Sequence, residues 1–321
     1  MPNPKYNPSV LDGVKMCKQH NIDVILSVGG GSVLDCSKAI AGGAKYDGEP
    51  WDLITYKAKT KDTLPIVDII TLAATGSEYD AGGVISRTET NDKTCYSDPH
   101  LYPKVSFLDP TYTFTVSKKQ TAAGVADAMN HIMEQYFCED STLLNDGFME
   151  AGLRSLMING RKCLENPEDY KARAEMMLVC TYGCNGIYSL GNSESGWPCH
   201  GMEHALSAYY DITHGEGLAI ITPRWMKHIL SEKTVYRFVK YGVNVFGIDA
   251  SLDKMTIANK AIDETYKFFE SINIPMHLKD VGIDETRVDE MAKHVADNEG
   301  LENAWAPLPE EDITAIFRAS L

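Results

Sequence analysis

The sequence lacks long hydrophobic runs, paired cysteines and an excess of positive charge, and each absence excludes a class of protein. No stretch of about 18 apolar residues occurs, which excludes a transmembrane helix of ordinary length. The formal net charge of the 321 residues is -15, which argues against nucleic acid or an anionic membrane surface as a partner. There is also no internal repeat and no low-complexity segment.

The eight cysteines form no Cys-x-x-Cys pair. In a chain of this length we expect reduced thiols and therefore a cytoplasmic location. The first residues, MPNPKYNPSV, contain neither a basic region nor an apolar segment, so we expect no signal peptide. The composition, 44% hydrophobic and 23% charged, is that of a globular protein with room for two domains.

The first third alternates helical and strand patterns, which predicts an α/β fold with a mostly parallel sheet. We predict a helix over residues 10–20 and a second helix that Ser32 caps and that runs to about Ala41. The predicted buried strands are Ile22–Val28, Ile66–Thr71 and Val105–Leu108.

From Lys118 onward the sequence predicts successive helices, for example over 120–137, 144–158, 170–190 and 254–272. We therefore place a domain boundary near residues 113–117. The chain would consist of an α/β domain over 1–115 and an all-helical domain over 116–321.

A glycine-rich loop, Gly29-Gly30-Gly31-Ser32, stands where the first strand passes into a helix. Glycine permits positive φ and a close approach of the backbone to a ligand, and free N–H groups at a helix start suit a phosphate. Asp35 could accept a hydrogen bond from a cofactor hydroxyl or amide. The alternative is a tight turn that binds nothing, with Asp35 favoured only by the helix dipole.

A second loop of small residues, 71–78, follows the second strand and carries the hydroxyls of Thr71, Thr75 and Ser77. Ligands of open α/β sheets bind beyond the carboxyl ends of strands. Two loops on neighbouring strands would therefore flank one crevice. Ser77 could equally cap the next helix.

Histidine spacing in the helical part indicates a metal site. Asp127 and His131 are four residues apart, as are His200 and His204, which places each pair on one helical face. His214 follows ten residues later. Isolated histidines are more often surface or core residues, but a carboxylate with clustered imidazoles suits Fe(II) or Zn(II). Spacing alone does not say which histidine is left out.

Several segments together resemble the iron-containing alcohol dehydrogenases, in particular the branch of butanol dehydrogenases and broad aldehyde reductases. The likeness covers essentially the whole chain. The segments are Pro2-Asn3-Pro4, VGGGSVLDCSKAIA (28–41), LAATGSEYDAGGVISR (72–87), Leu108-Asp109-Pro110, GVADAMNHIMEQY (124–136) and HGMEHALSAYYDITHGEG (200–217). Each motif alone is weak, whereas the set is specific.

The resemblance implies a dehydroquinate synthase-like two-domain fold, with a Rossmann-like parallel sheet followed by a helical metal-binding domain. It implies metal ligation by Asp127, His131, His200 and His214, and a proton-transfer role for His204. The implied cofactor contacts are Gly30, Gly31, Ser32, Asp35, Thr71, Thr75, Ser77, Lys93 and Leu108. It further implies a small aldehyde or alcohol as substrate, and by analogy a homo-oligomer.

The implied reaction has the metal polarise an aldehyde carbonyl while the nicotinamide delivers hydride. Because the imidazole ligands must be neutral, activity should fall as the pH drops through the histidine range.

Two departures from the family pattern stand out. Asp80 replaces an Asn, and its charge is expected to change a ribose or phosphate contact. Family chains also begin earlier, with at least one more βαβ unit of roughly 30 residues. That unit carries the residue which separates NADH from NADPH, so either cofactor remains open. We also expect the remaining sheet to expose an edge.

Two rival hypotheses concern the activity. One is another enzyme on the same scaffold, either a glycerol-type dehydrogenase or a dehydroquinate-synthase-like lyase. A lyase should place basic residues near the metal, and near residues 197–217 there are none apart from the histidines and Arg224. The other is a truncated, catalytically weak remnant that binds metal through its helical part but has little affinity for a dinucleotide.

Overall fold

The computed structural model describes residues 3–321, so Pro2 of the Pro2-Asn3-Pro4 segment lies outside them. Five strands lie in the first third of the chain together with the helices α1 to α3, and the remaining helices follow. The strands are β1 Ile25–Gly29, β2 Ile66–Ile70, β3 Gly82–Arg87, β4 Asp92–Ser97 and β5 Val105–Phe107. The helices are α1 Leu11–His20, α2 Gly31–Ala44, α3 Trp51–Ile54, α4 Lys118–Tyr136, α5 Leu143–Glu165, α6 Tyr170–Cys184, α7 Pro198–Tyr210, α8 His214–Ile229, α9 Val235–Phe246, α10 Lys254–Ser271, α11 Val288–Asn298 and α12 Glu310–Ala319.

The main sheet is parallel, with strand order β1-β2-β5. This confirms the predicted α/β class and the three predicted strands, although β1 begins three residues later than expected. Asn21 after α1 has the left-handed φ of 49°, and the pairing of β1 with β2 begins only at Ile25. Because β1 and β2 are neighbours, their carboxyl ends lie side by side.

The prediction that these strands are buried is wrong for one face of the sheet. Leu26 and Val28 are 60% and 53% exposed, and Phe107 on β5 is 53% exposed. In the pairing register these side chains share a face, since Val28 and Phe107 both stand opposite Ile69. The other face packs against α2, and it includes the buried Ile66 and Ile70.

An antiparallel hairpin of β3 and β4, which the sequence analysis did not predict, follows the second loop. It packs against α2 through β3 and against α7 through β4. The hairpin therefore links the α/β part to the helical part. Two further links come from the start of the chain, where the amide of Asn3 and the ammonium of Lys5 donate to Asp211 Oδ1 at 2.9 and 2.8 Å.

The helices from α4 onward share one large apolar core. Their starts are set by local chemistry: the side chains of Ser117, Thr142 and Asp253 accept backbone N–H bonds at the beginnings of α4, α5 and α10. The predicted cap of α2 is wrong, because Gly30 occupies the cap position and Ser32 lies inside the first turn. Sixteen of the residues of α4 are buried, which makes α4 the central helix of this part.

Candidate active site

A cleft of about 960 Å³ lies between the α/β part and the helical part. Its size matches the upper range of small-molecule and cofactor sites. The two predicted loops form one wall, and His131, His200, His204 and His214 line the other. The prediction that the loops of β1 and β2 flank one crevice is thus confirmed.

Close packing of the second loop explains why glycines occupy the first loop. None of Gly29, Gly30 and Gly31 has a positive φ, so that part of the expectation is wrong. A Cβ at Gly31 would lie 2.3 Å from Thr75 Oγ1, and one at Gly30 would lie 3.1 Å from Leu72 Cβ. The glycines let the second loop pack directly on the start of α2. The first backbone N–H groups of this 14-residue helix therefore lie at the cleft.

A buried ammonium fixes the second loop. Lys38 of α2 is fully buried, and its Nζ donates to the carbonyls of Ser77 and Gly82 at 2.8 and 2.6 Å and to Asp80 Oδ1 at 2.6 Å. Asp35 Oδ1 accepts from the Ser77 hydroxyl at 2.7 Å, and Asp35 Oδ2 accepts from the Val84 N–H. Asp35 and Ser77, both predicted cofactor contacts, thus also hold the loop to α2.

The negative charge of Asp80 is compensated within the protein. Its carboxylate pairs with Lys38, and it also accepts from the N–H of Gly82 at 2.8 Å. Burial raises the pKa of Asp80 to about 6, although the neighbouring Lys38 opposes the rise. Since the charge is already paired, Asp80 adds less negative potential to the cleft than the sequence alone suggests.

Three imidazoles converge on one carboxylate oxygen. Asp127 Oδ1 lies 3.6 Å from Nε2 of His131, 3.8 Å from Nε2 of His200 and 3.7 Å from Nε2 of His214. A tetrahedral ion with bonds of about 2.0–2.2 Å would have ligand atoms about 3.3–3.6 Å apart. The donor atoms of Asp127, His131 and His200 all lie within 4.8 Å of one another.

A second observation, the lack of hydrogen-bond partners for two buried atoms, also indicates that Asp127 and the histidines could bind a metal ion. Asp127 Oδ1 and His200 Nε2 are buried and have no hydrogen-bond partner among the described residues. Buried polar atoms normally have partners, and one carboxylate with imidazoles suits Fe(II) or Zn(II). The arrangement therefore fits the ion that the resemblance implies.

The charges in this cluster interact strongly. Burial alone would raise the pKa of Asp127, but His131, His200 and His214 hold it well below its usual range. Burial lowers the pKa of His131 to about 4. Burial also opposes protonation of His200, but Glu134 and Asp127 outweigh it and raise the pKa of His200 to about 10.

Two buried glutamates, which sequence reasoning missed, support the histidines. Glu134 Oε2 accepts from His200 Nδ1, and Glu203 Oε2 accepts from His214 Nδ1. Both glutamates are fully buried. A signal for the first was present, because Glu134 lies seven residues after Asp127 and three after His131, on the same helical face.

His204 has a different acidic neighbour from the three histidines that face Asp127. His204 Nδ1 lies 3.4 Å from Oε1 of Glu299 at the end of α11, and the His204 side chain is 9% exposed. Its ring is 6.1 Å from that of His214. His204 thus lines the cleft beside the carboxylate–imidazole cluster and has an acidic neighbour of its own.

Lys93 lies at the boundary between the two parts. Its Nζ, which the resemblance assigned to the cofactor, donates to Glu203 Oε2 at 2.9 Å and lies 3.2 Å from His214 Nδ1. Lys119, 64% exposed and paired with Glu216, also lines the cleft. Both lysines lie outside residues 197–217, on β4 and at the start of α4, so the cleft has basic groups that this segment does not contain.

The fold brings most of the predicted cofactor residues to the cleft, namely Gly30, Gly31, Ser32, Asp35, Thr75, Ser77 and Lys93. Thr71 directly follows β2, and Leu108 directly follows β5. Neither residue belongs to the lining of the cleft. The N–H of Thr71 bonds to the carbonyl of Gly29 at 2.9 Å, so it extends the pairing of β1 and β2.

Both parts of the chain match family descriptions that name the same enzymes. Residues 1–110 match "Iron-containing alcohol dehydrogenase", and residues 121–321 match "Fe-containing alcohol dehydrogenase family, C-terminal". The chain belongs to the iron-containing alcohol dehydrogenase family. This agrees with the resemblance that the sequence motifs carry.

Named relatives of this iron-containing alcohol dehydrogenase family member include NADH-dependent butanol dehydrogenase A of Clostridium acetobutylicum. The two are 47% identical over 99% of this chain and 82% of the relative. The NADPH-dependent aldehyde reductase YqhD of Escherichia coli is 35% identical over 92% of this chain and 77% of the relative. The crystal structure of an NADH-dependent butanol dehydrogenase A from Thermotoga maritima superposes with a TM-score of 0.94 at 35% identity, covering 100% of this chain and 81% of that one.

Among residues 3–321, no helix has both the length and the apolar character needed to span a bilayer.

Proposed function

We propose that this iron-containing alcohol dehydrogenase family member interconverts a primary alcohol and its aldehyde, with NADH or NADPH as the hydride carrier. The observation that carries the proposal is the shared cleft. Two loops suited to a dinucleotide form one wall, and a carboxylate with three imidazoles converging on it forms the other. The names of the relatives support this reaction class and both cofactors.

In the proposed site Asp127, His131, His200 and His214 would hold Fe(II) or Zn(II). The bound ion would supply a Lewis acid that polarises the carbonyl and stabilises a developing alkoxide. The remaining chemistry belongs to the chain. The backbone N–H groups of Gly31 and Ser32 would hold the phosphates of the dinucleotide at the start of α2.

His204 is the proposed proton carrier. It lines the cleft beside the cluster and is close to Glu299, whose side chain is 25% exposed. A proton could therefore pass between the reacting oxygen, His204 and solvent, directly or through water.

The test is the reduction of a short aldehyde such as butanal by the metal-loaded protein, with NADH and NADPH assayed separately. Turnover that disappears in His200→Ala would support the metal-dependent reaction, and the preferred cofactor would follow from the two assays. Bound metal without turnover on either cofactor would contradict the proposal and favour a metal-binding protein without this activity.

We also propose that the chain divides into a dinucleotide-binding domain, 1–115, and a metal-binding domain, 116–321. The last strand ends at Phe107 and the central helix α4 begins at Lys118, which supports a boundary between them. Two unfolding transitions in calorimetry would support this division, and a single transition would count against it.

A cytoplasmic location and self-association complete the proposal. All eight cysteines are free, which suits a reducing compartment. Leu143, Leu144 and Leu190 are 84%, 65% and 68% exposed, and Asn145 bonds to the carbonyl of Leu190, so the three are neighbours. Exposed apolar groups of this kind favour a protein interface. Sedimentation velocity that shows only monomer would contradict self-association.

A further inference from the structure

We infer that Glu134 is a positioning residue that keeps a proton on His200 Nδ1, so that His200 Nε2 is the nitrogen available to a metal ion. The inference rests on the proposed function. It concerns a residue that touches neither the cleft nor the proposed ion, and it starts from the hydrogen bonds around the Glu134 carboxylate.

Both oxygens of Glu134 face donors. Oε1 accepts from the backbone N–H of Cys199 at 2.6 Å and from that of His200 at 3.2 Å, while Oε2 accepts from His200 Nδ1. The two N–H groups belong to the first turn of α7, where helical N–H groups have no partner within the helix. Their partial positive charge stabilises the fully buried carboxylate.

This arrangement determines which ring nitrogen of His200 faces Asp127. A carboxylate only accepts hydrogen bonds, so the nitrogen beside Glu134 must carry a proton. The opposite nitrogen, Nε2, then points to Asp127 Oδ1 at 3.8 Å and has no hydrogen-bond partner among residues 3–321. The carboxylate also increases the basicity of the imidazole, which strengthens a metal bond.

Glutamine at position 134 would keep the size of the side chain but not its pattern of acceptors. Its single oxygen can face either the backbone N–H groups of α7 or His200 Nδ1, and its NH₂ group must face the other. If the NH₂ group faces Nδ1, that nitrogen must accept, and the ring proton moves to Nε2, where it competes with the metal. The reverse orientation leaves two buried N–H groups without an acceptor.

The matched control is Glu150→Gln. Glu150 is also a buried carboxylate, 7% exposed, and its hydrogen bonds among residues 3–321 go to Tyr136 and Asn244 and not to a proposed ligand. Its Oε1 accepts both from the Tyr136 hydroxyl at 2.9 Å and from the Asn244 amide at 2.8 Å. A glutamine oxygen can replace Oε1 for both donors, so the control removes a buried charge without forcing a donor against a donor.

The experiment measures zinc affinity by competition with a chelating dye, together with the urea unfolding midpoint of the metal-free proteins. We expect Glu134→Gln to weaken zinc binding at least about tenfold, as the loss of a partner behind a metal-bound histidine does, and Glu150→Gln to leave it within about twofold. Equal zinc affinity in Glu134→Gln and the wild type would overturn the inference and leave Glu134 as a helix cap.

If Glu134→Gln does not fold, the zinc-loaded wild type with ¹⁵N-labelled histidine supplies the answer. A ring proton on Nδ1 of His200, assigned by its loss in His200→Asn, is expected. Zinc on Nδ1 with the proton on Nε2 would overturn the inference. Wild-type protein that binds neither zinc nor iron would overturn the proposed metal site as well, so the two failures are distinguishable.

Discussion

Asp127 supplies the only negative charge on which the three imidazoles converge in the described part of the chain. We predict that Asp127→Asn weakens zinc or iron binding by more than about 100-fold, since losing even an indirect partner of a ligand costs about 10–100-fold. Metal content after dialysis against a weak chelator measures this. Asp140→Asn, at an exposed position, is the control, and retained metal in Asp127→Asn would contradict the site.

Two helical glycines, Gly31 and Gly147, differ in the space around them. We predict that Gly31→Ala lowers both the unfolding midpoint and the affinity for a dinucleotide, because its Cβ would lie 2.3 Å from Thr75 Oγ1. Gly147 in α5 has no heavy atom within 4 Å of a built Cβ, so Gly147→Ala should stabilise the protein by about 0.5–1 kcal/mol. Thermal denaturation and nucleotide fluorescence measure the two effects; a tolerated Gly31→Ala would show that the loops need no close contact.

The element that shapes the cofactor wall is the loop between β2 and β3, and Lys38 connects it to α2 through the carbonyls of Ser77 and Gly82 and the carboxylate of Asp80. Removing one partner of a buried ion pair costs about 3–5 kcal/mol. We therefore predict that Lys38→Met destabilises the protein by several kcal/mol. Asp80→Asn should cost much less, because the Asn oxygen can still accept from Lys38 and from the Gly82 N–H.

Urea denaturation of the Lys38 and Asp80 variants at one pH tests this ranking, and nucleotide binding shows whether the loop retains its shape. Asp80→Asn that proves as damaging as Lys38→Met would mean that the charge of Asp80, rather than the acceptor geometry, holds the loop.

The pH dependence of stability is a property of the whole molecule to which buried carboxylates contribute. Burial, with help from the charge of Glu78, raises the pKa of Asp68 on β2 to about 6, although Ser106 donates to it. The folded state therefore binds this proton more tightly than the unfolded state. The resulting stability is fully present below the unfolded pKa of 3.8 and is lost as the pH rises through about 6.

Because Asp68→Asn mimics the protonated carboxyl group, its free energy of unfolding should exceed that of the wild type at pH 8. The difference should shrink towards zero near pH 4. Urea unfolding at several pH values measures it, with Asp23→Asn at an exposed position as the control. A difference that does not change with pH would show that Asp68 is not protonated in the folded protein over this range.

Some features of the fold and of the candidate site could be predicted from the sequence, and others could not. The spacing of Asp127 and His131 placed both on one face of α4, where the structure has them, because helical periodicity is a local property. The hairpin of β3 and β4 was not predicted, since its residues Gly82–Arg87 and Asp92–Ser97 alternate only weakly between apolar and polar. Its packing against α2 and α7 joins segments that are distant in the chain. The role of Gly30 as the cap of α2 was missed because Ser32 is the better local cap.

The sequence by itself determined the class of the fold, the two loops after β1 and β2, and the set of candidate ligands, because these depend on periodicity and on residue types close together in the chain. Spacing along the chain left open which histidine stays apart, and the tertiary structure places His214 beside Asp127 and His204 beside Glu299. It also decided that Lys93 reaches Glu203 and that Glu134 supports His200. The physical reason is that these contacts join different helices and strands, so their distances follow from how the elements pack and not from spacing along the chain.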